Sequence, residues 1–146
     1  MAFRDRSFGT DVNRTMNSEI RNQNLSNNTR TDLKYRAFHL TIEVIKFTEG
    51  YSAKPVFRVI IDQLVRAISS IGANIVEAKS SASKREFLNF FQIALKSANE
   101  SKYWLAILRE MLPETKEKIN LFIAETDEIC KMLSSSVLTL KGHTKL

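Results

Sequence analysis

Residues 64–105 read LVRAISSIGANIVEAKSSASKREFLNFFQIALKSANESKYWL, and the fold depends on how this stretch divides. Together with the residues just before it, Phe57, Ile61, Leu64, Ile68, Ile71, Ile75 and Ala78 advance in steps of four and three. That spacing is a heptad seam, the mark of a helix packed against other helices. The downstream half repeats it through Phe87, Phe91, Ala94, Ala98, Ser101, Leu105, Leu108 and Leu112, with bulky residues at both ends and small ones in the middle. Between the seams lies KSSAS. Ser83 and Glu86 have capping-box spacing, in which Ser83 accepts from the Glu86 N–H and Glu86 reaches back to the Ser83 N–H. The stretch therefore reads as two amphipathic helices joined by one short turn.

Working outward, a first helix is expected from Asp32, as N-cap, to Glu49, with Gly50 as the stop. Its apolar side has two neighbouring rows, Phe38, Ile42 and Ile45 beside Ala37, Leu40, Val44 and Phe47. Such a wide stripe faces a core. Pro55 suits the first turn of the second helix, because its missing N–H has no partner there in any case. Across the second seam stand Ala67, Ser69, Ser70, Gly72 and Ala73, small enough for another helix to come close. Gly72 costs roughly 1 kcal/mol relative to Ala inside a helix, and close packing is the expected compensation.

Pro113 ends the third helix and opens a fourth, whose first turn holds Glu114 and Glu117 where the helix dipole favours anions. Ile119, Phe122, Ile123, Thr126, Ile129, Cys130 and Leu133 form its stripe, which fades at Ser134 to Ser136. The expected organisation is all-α: a flexible polar arm over 1–31, an antiparallel up-down-up-down four-helix bundle over 32–136 and a frayed tail over 137–146. The arm is rich in Asn, Ser, Thr and Arg and has no period. It is either a basic tail that touches RNA or DNA, or an inert leader, or a segment ordered only against a neighbour in an oligomer.

Composition narrows the function classes. Across 146 residues there are four glycines and two prolines, too few for the turns of a many-stranded fold. No apolar run approaches the roughly 20 residues that cross a bilayer, and the first residues do not form a signal peptide, so a cytoplasmic protein is expected. A net charge of +6 fits an anionic partner without proving one. A single cysteine, Cys130, excludes an intrachain disulfide and a multi-cysteine metal site. His39 and His143 lie on different elements without a second ligand at metal spacing, and no P-loop, HExxH, GxGxxG or GxSxG pattern occurs. Neither catalysis nor a cofactor is expected.

Candidate residues then fall into three groups. Lys79, Lys84 and Arg85 flank the serine-rich turn, and Arg58, Arg66, Lys96 and Lys102 add charge along the helices. These seven are the candidate nucleic-acid contacts; a solvated face is the competing reading. Gly72, Asn74, Glu77, Ser83, Glu86, Asn99 and Glu100 are candidates for fixing the register of the helices. For Asn74, Glu77, Asn99 and Glu100 a ligand site is the lesser alternative. Phe90 and Trp104 exceed what one seam needs, and either form a subunit interface or widen the core contact.

Several segments carry a family resemblance: Leu64-Val-Arg66-Ala67-Ile-Ser69-Ser-Ile71, Asn74-Ile75-Val-Glu77, Ser83-Lys-Arg85-Glu86-Phe87-Leu-Asn-Phe90, Ala94-Leu-Lys-Ser97-Ala98-Asn99-Glu100 and Tyr103-Trp104-Leu105. Over most of residues 35–112 the chain resembles the 23S rRNA intervening-sequence proteins of bacteria. It is also similar to the accessory variability determinants of diversity-generating retroelements. The resemblance implies a cyclic homo-oligomer, a homo-pentamer, associated with RNA or DNA and with a reverse transcriptase or other protein partner. One departure is Ala78, where the family pattern has Gly after Asn-Ile-x-Glu, so the helix is expected to continue further before turning.

Overall fold

The structure is a computed structural model and describes residues 33–142. The arm expected over 1–31, the Asp32 cap and His143 lie outside the described residues. Within them are four α-helices and no strand: α1 over residues 33–49, α2 at Pro55–Lys79, α3 at Lys84–Met111 and α4 at Lys116–Gly142. A single 3-10 turn, Pro113–Thr115, leads into α4. Pro55 stands at the start of α2, as its geometry favours. Gly50 does not end α1 through a left-handed cap, since no glycine described has positive φ. Instead the Tyr51 N–H bonds the Thr48 carbonyl at 3.0 Å.

Polar contacts fix direction and register. Lys102–Asp127 (3.1 Å), Arg109–Asn120 (2.8 Å) and Cys130–Asn99 (3.9 Å) link α3 to α4, each pairing a later residue of one with an earlier residue of the other. Arg36–Glu125 and Lys118–Glu43 do the same between α1 and α4, and Thr41 to the Ile68 carbonyl between α1 and α2. Ser97 to Ser70 joins α3 to α2 at 2.8 Å. In the α3–α4 and α1–α4 pairs the residue numbers rise on one helix as they fall on the other, so these neighbours run antiparallel.

The core is one continuous cluster. Leu64, Ile68, Ile71 and Ile75 of α2 meet Ala94, Ala98, Leu105 and Leu108 of α3, with Val44 from α1 and Ile119, Ile129 and Leu133 from α4. Sealing an aliphatic side chain of this size contributes about 1.5–3 kcal/mol, an upper range because unfolded chains already bury some of that surface. By length and composition α2 is apolar enough to cross a membrane, contrary to the reading of the bare sequence, but its seam is the bundle's own core face.

Three sequence expectations are corrected. On α1, Phe38 is 58% exposed, and the buried row is Leu33, Ala37, Leu40, Val44 and Thr48. The row with Phe38 is covered only in part, Ile42 and Ile45 being partly buried. At the other end of the chain, α4 does not fade at Ser134 to Ser136 but continues to Gly142, with Val137 7% exposed, so the bundle extends past residue 136. The expected extension of α2 beyond Ala78 amounts to one residue, Lys79.

Gly72 requires a further correction. It faces α1, yet a Cβ built there would stand 3.7 Å from the Ala37 Cβ, an ordinary contact. Closeness of the backbones does not demand glycine. Gly72→Ala should therefore stabilise the protein by about 1 kcal/mol and raise Tm by about 4 °C. A lower Tm in a thermal melt would contradict this packing. Gly72→Leu adds three further carbons at the same contact and should destabilise the fold or its assembly by comparison.

Acid sensitivity offers a second check. Lys102, and then Lys131, hold the Asp127 carboxyl below the usual carboxylate range. A carboxylate whose pKa is lower in the folded state contributes at neutral pH, and that contribution is lost as pH falls through the depressed value. Urea unfolding at neutral and acid pH should show a smaller acid-side loss for Lys102→Met than for the wild type. Identical losses would mean the pair does not matter.

Candidate nucleic-acid interface

Charge is partitioned along the chain. From residue 54 to 97 there are seven Lys and Arg against three acids, whereas from 98 to 142 there are six against seven. The seven are Lys54, Arg58, Arg66, Lys79, Lys84, Arg85 and Lys96, all exposed, and none forms an ion pair among the described residues. Of the six from 98 to 142, Lys102, Arg109, Lys118 and Lys131 are matched, while Lys116 and Lys141 form no ion pair among the described residues. Arg36 grips Glu125 with two nitrogens at 2.7 and 2.9 Å, Lys102 bonds Asp127, and Lys131 reaches Asp127 and Glu128 at 3.4 and 3.1 Å. Arg109 lies 3.5 Å from Glu110 and Lys118 4.0 Å from Glu43.

Lys102 is thereby set apart from the other candidate contacts, since its charge is already met by Asp127 and its side chain is half-buried. Lys54 joins the group instead. Its ammonium lies 5.9 Å from the Phe57 ring at the start of α2, and sequence reasoning passed over it because it sits in a linker. Lys79 is the last residue of α2 and Lys84 the first of α3, so the turn brings Lys79, Lys84 and Arg85 to one end of the bundle.

The α3 N-terminus has a different cap from the one expected. Ser83 accepts from the Glu86 N–H at 3.1 Å as the motif requires, but Glu86 accepts from the Ala82 N–H at 2.8 Å rather than from Ser83. Glu86 thus supplies an anion at that helix end itself, so the positive charge around the turn resides in Lys79, Lys84 and Arg85 rather than in the helix terminus.

The register residues divide in the same way. Asn74 donates to the Ser70 carbonyl (2.8 Å) and hydroxyl (3.0 Å), and Ser97 donates to that hydroxyl from α3. Asn74 therefore adjoins a polar tie between α2 and α3 whose centre is Ser97 and Ser70, the latter read from sequence only as a small packing residue. Their i, i+4 spacing with Asn74 and Ser101 was the available signal. Asn99 accepts from the Cys130 thiol across α3 and α4. Burial pushes the Cys130 thiol pKa up. Glu100 bonds only within its own helix, accepting from the Trp104 indole N–H at 3.2 Å, so it does not tie two helices. Glu77 is exposed at the rim of a groove between α1 and α2. Phe90 and Trp104 are partly buried against the core.

Two grooves flank α2. One, about 600 Å³, lies between α1 and α2 and is apolar, walled by exposed Tyr35, Phe38 and Val76 over Gly72 and Ala73. The other, about 320 Å³, lies between α2 and α3 and is polar, lined by Gln63, Arg66, Ala67, Ser70, Ser97 and Glu100. Among the described residues no cluster of His, Cys, Asp or Glu is arranged to hold a metal ion.

Comparison with known proteins sets this geometry in context. A solved structure from Bacteroides thetaiotaomicron, a protein with unknown function from the S23 ribosomal protein family, is 30% identical with a TM-score of 0.70. The alignment covers 75% of this chain and 97% of that one. No curated protein matches. The sequence profile of the 23S rRNA-intervening sequence proteins matches residues 30–135, which include all of α1, α2 and α3 and most of α4. The chain belongs to the 23S rRNA-intervening sequence protein family.

Proposed function

We propose that this protein is a non-enzymatic, cytoplasmic accessory protein that binds RNA through the basic surface of α2, the 79–85 turn and the first half of α3. The observation that carries this reading is the set of seven exposed, unmatched cations on those elements and at Lys54 just before α2, against only three acids, while most cations of the α3–α4 side are ion-paired. Phosphates would replace their counterions, which is the main source of sequence-independent affinity. The family's description as an rRNA-intervening sequence protein favours RNA over DNA as the polyanion.

A second reading, a scaffold that docks a protein such as a reverse transcriptase, is favoured by the α1–α2 groove, since exposed Tyr35, Phe38 and Val76 form an apolar patch that water covers poorly. The same face serves a further part of the proposal, assembly into a cyclic homo-pentamer like that of the retroelement accessory proteins the sequence resembles. In a ring, one modest basic cluster per subunit becomes a continuous band. Sedimentation giving the mass of five chains is the expected result, and a monomer at micromolar concentration would overturn it.

Binding to single-stranded RNA should weaken steeply with salt, at about 0.7 log units per tenfold salt for each phosphate contact. The triple variant Lys79→Gln, Lys84→Gln, Arg85→Gln should lower that slope by about 2. Affinity indifferent to salt, or none at low salt, would overturn the reading. Co-purification with a reverse transcriptase that survives nuclease treatment would support the scaffold reading instead.

A further inference from the structure

The polar groove between α2 and α3 contains two opposite charges that do not neutralise each other. Arg66 on α2 and Glu100 on α3 both line it, both are exposed, and they form no ion pair. An exposed Arg and Glu facing across a helix pair would ordinarily close on one another, and here they leave an opening of about 320 Å³, at the small end of ligand-sized pockets. The carboxylate is held in place, because the Trp104 indole N–H bonds its Oε1. The floor is fixed as well. Ser97, 8% exposed, bonds Ser70, which Asn74 also holds, so the hydroxyls cannot swing to fill the space. Gln63, one helical turn before Ala67, adds an amide able both to donate and to accept.

A planar donor fork on one wall and an acceptor pair on the other match a planar ligand with acceptors on one edge and two donors on the adjacent edge. Among nucleobases that is guanine. Its O6 and N7 suit a guanidinium, and its N1–H and N2–H suit a carboxylate. Adenine and cytosine present no N–H pair of that kind, and uracil has no second donor beside its ring N–H. A base can reach such a groove only when unpaired, which is how proteins read RNA sequence.

We propose that the α2–α3 groove seats one unpaired guanine of a bound RNA strand, with Glu100 accepting from its N1–H and N2–H and Arg66 donating to its O6 and N7. This rests on the RNA-binding reading above and adds a selected base to an otherwise base-blind backbone attraction. The basic turn holds the strand, and the groove chooses which nucleotide lies across α2 and α3.

The test uses full-length protein and uridine-only RNA oligomers carrying one central guanosine, adenosine or inosine, with affinity read by fluorescence anisotropy. The guanosine strand should bind at least about fivefold tighter than the adenosine strand. Inosine lacks the N2 amine and should lose most of that advantage, which tests the Glu100 contact with the protein unaltered. Glu100→Gln, checked for folding by its thermal melt, should bring the guanosine preference below about twofold. Equal binding of the guanosine and adenosine strands, or a preference for adenosine, would overturn the guanine seat and leave the electrostatic reading standing. Failure of every strand to bind at low salt would overturn both.

Discussion

A row of four aliphatic side chains on α2, Leu64, Ile68, Ile71 and Ile75, is sealed from water, and the other helices are placed by the need to cover it. A row that spans three turns cannot be covered by one neighbour. It takes α3 on one side, where Ala94, Ala98 and Ser101 let the helices lie close, and α1 on the other, where Ala37 meets Gly72. α4 then closes the bundle against α1 and α3. Burial supplies the drive, and the ties Ser97–Ser70, Thr41 to the Ile68 carbonyl, Lys102–Asp127 and Arg36–Glu125 select one register among those that burial alone would allow.

The seams of α2 and α3 were readable because a step of four and three leaves a helix only one face to bury, and there observation and expectation coincide apart from the half-exposed ends at Phe57 and Phe87. α1 was harder. Two apolar rows lie side by side on it, and periodicity cannot say which one neighbours will cover, so it counts Phe38 on the core face when the side chain is exposed. The end of α4 was missed for a related reason: a run of three serines reads as a terminus, but Val137 keeps the stripe in phase beyond it. Charge matching was least accessible. Arg36 and Glu125 are 89 residues apart, and nothing local distinguishes a lysine such as Lys102 that will meet a carboxylate from one such as Lys96 that will not.

The polar candidates show the same division. Asn74, expected to fix register, bonds only Ser70 of its own helix, and the link across to α3 is the Ser97–Ser70 bond that Ser70 makes at the same hydroxyl. Glu100, of the same expected role, instead lines a groove and accepts from the Trp104 indole N–H. A residue type and its spacing indicate that a polar group needs a partner. Only the packing of α2 against α3 decides whether that partner belongs to the chain or to something outside it. The same helix thus separates two surfaces of opposite character, an apolar one toward α1 and a polar one toward α3, without any change in its own regular geometry.

The uneven distribution of matched and unmatched charge has an effect at long range. Among the described residues, positive charge collects on α2 and early α3 while α4 carries four cations against four acids, so the charge of the bundle is lopsided. In the field of a polyanion such a molecule is turned before it touches, arriving with α2 and α3 foremost. With a polyanion as the proposed partner, encounters would be oriented rather than random, which would raise the association rate and make that rate, more than the dissociation rate, the quantity that ionic strength controls.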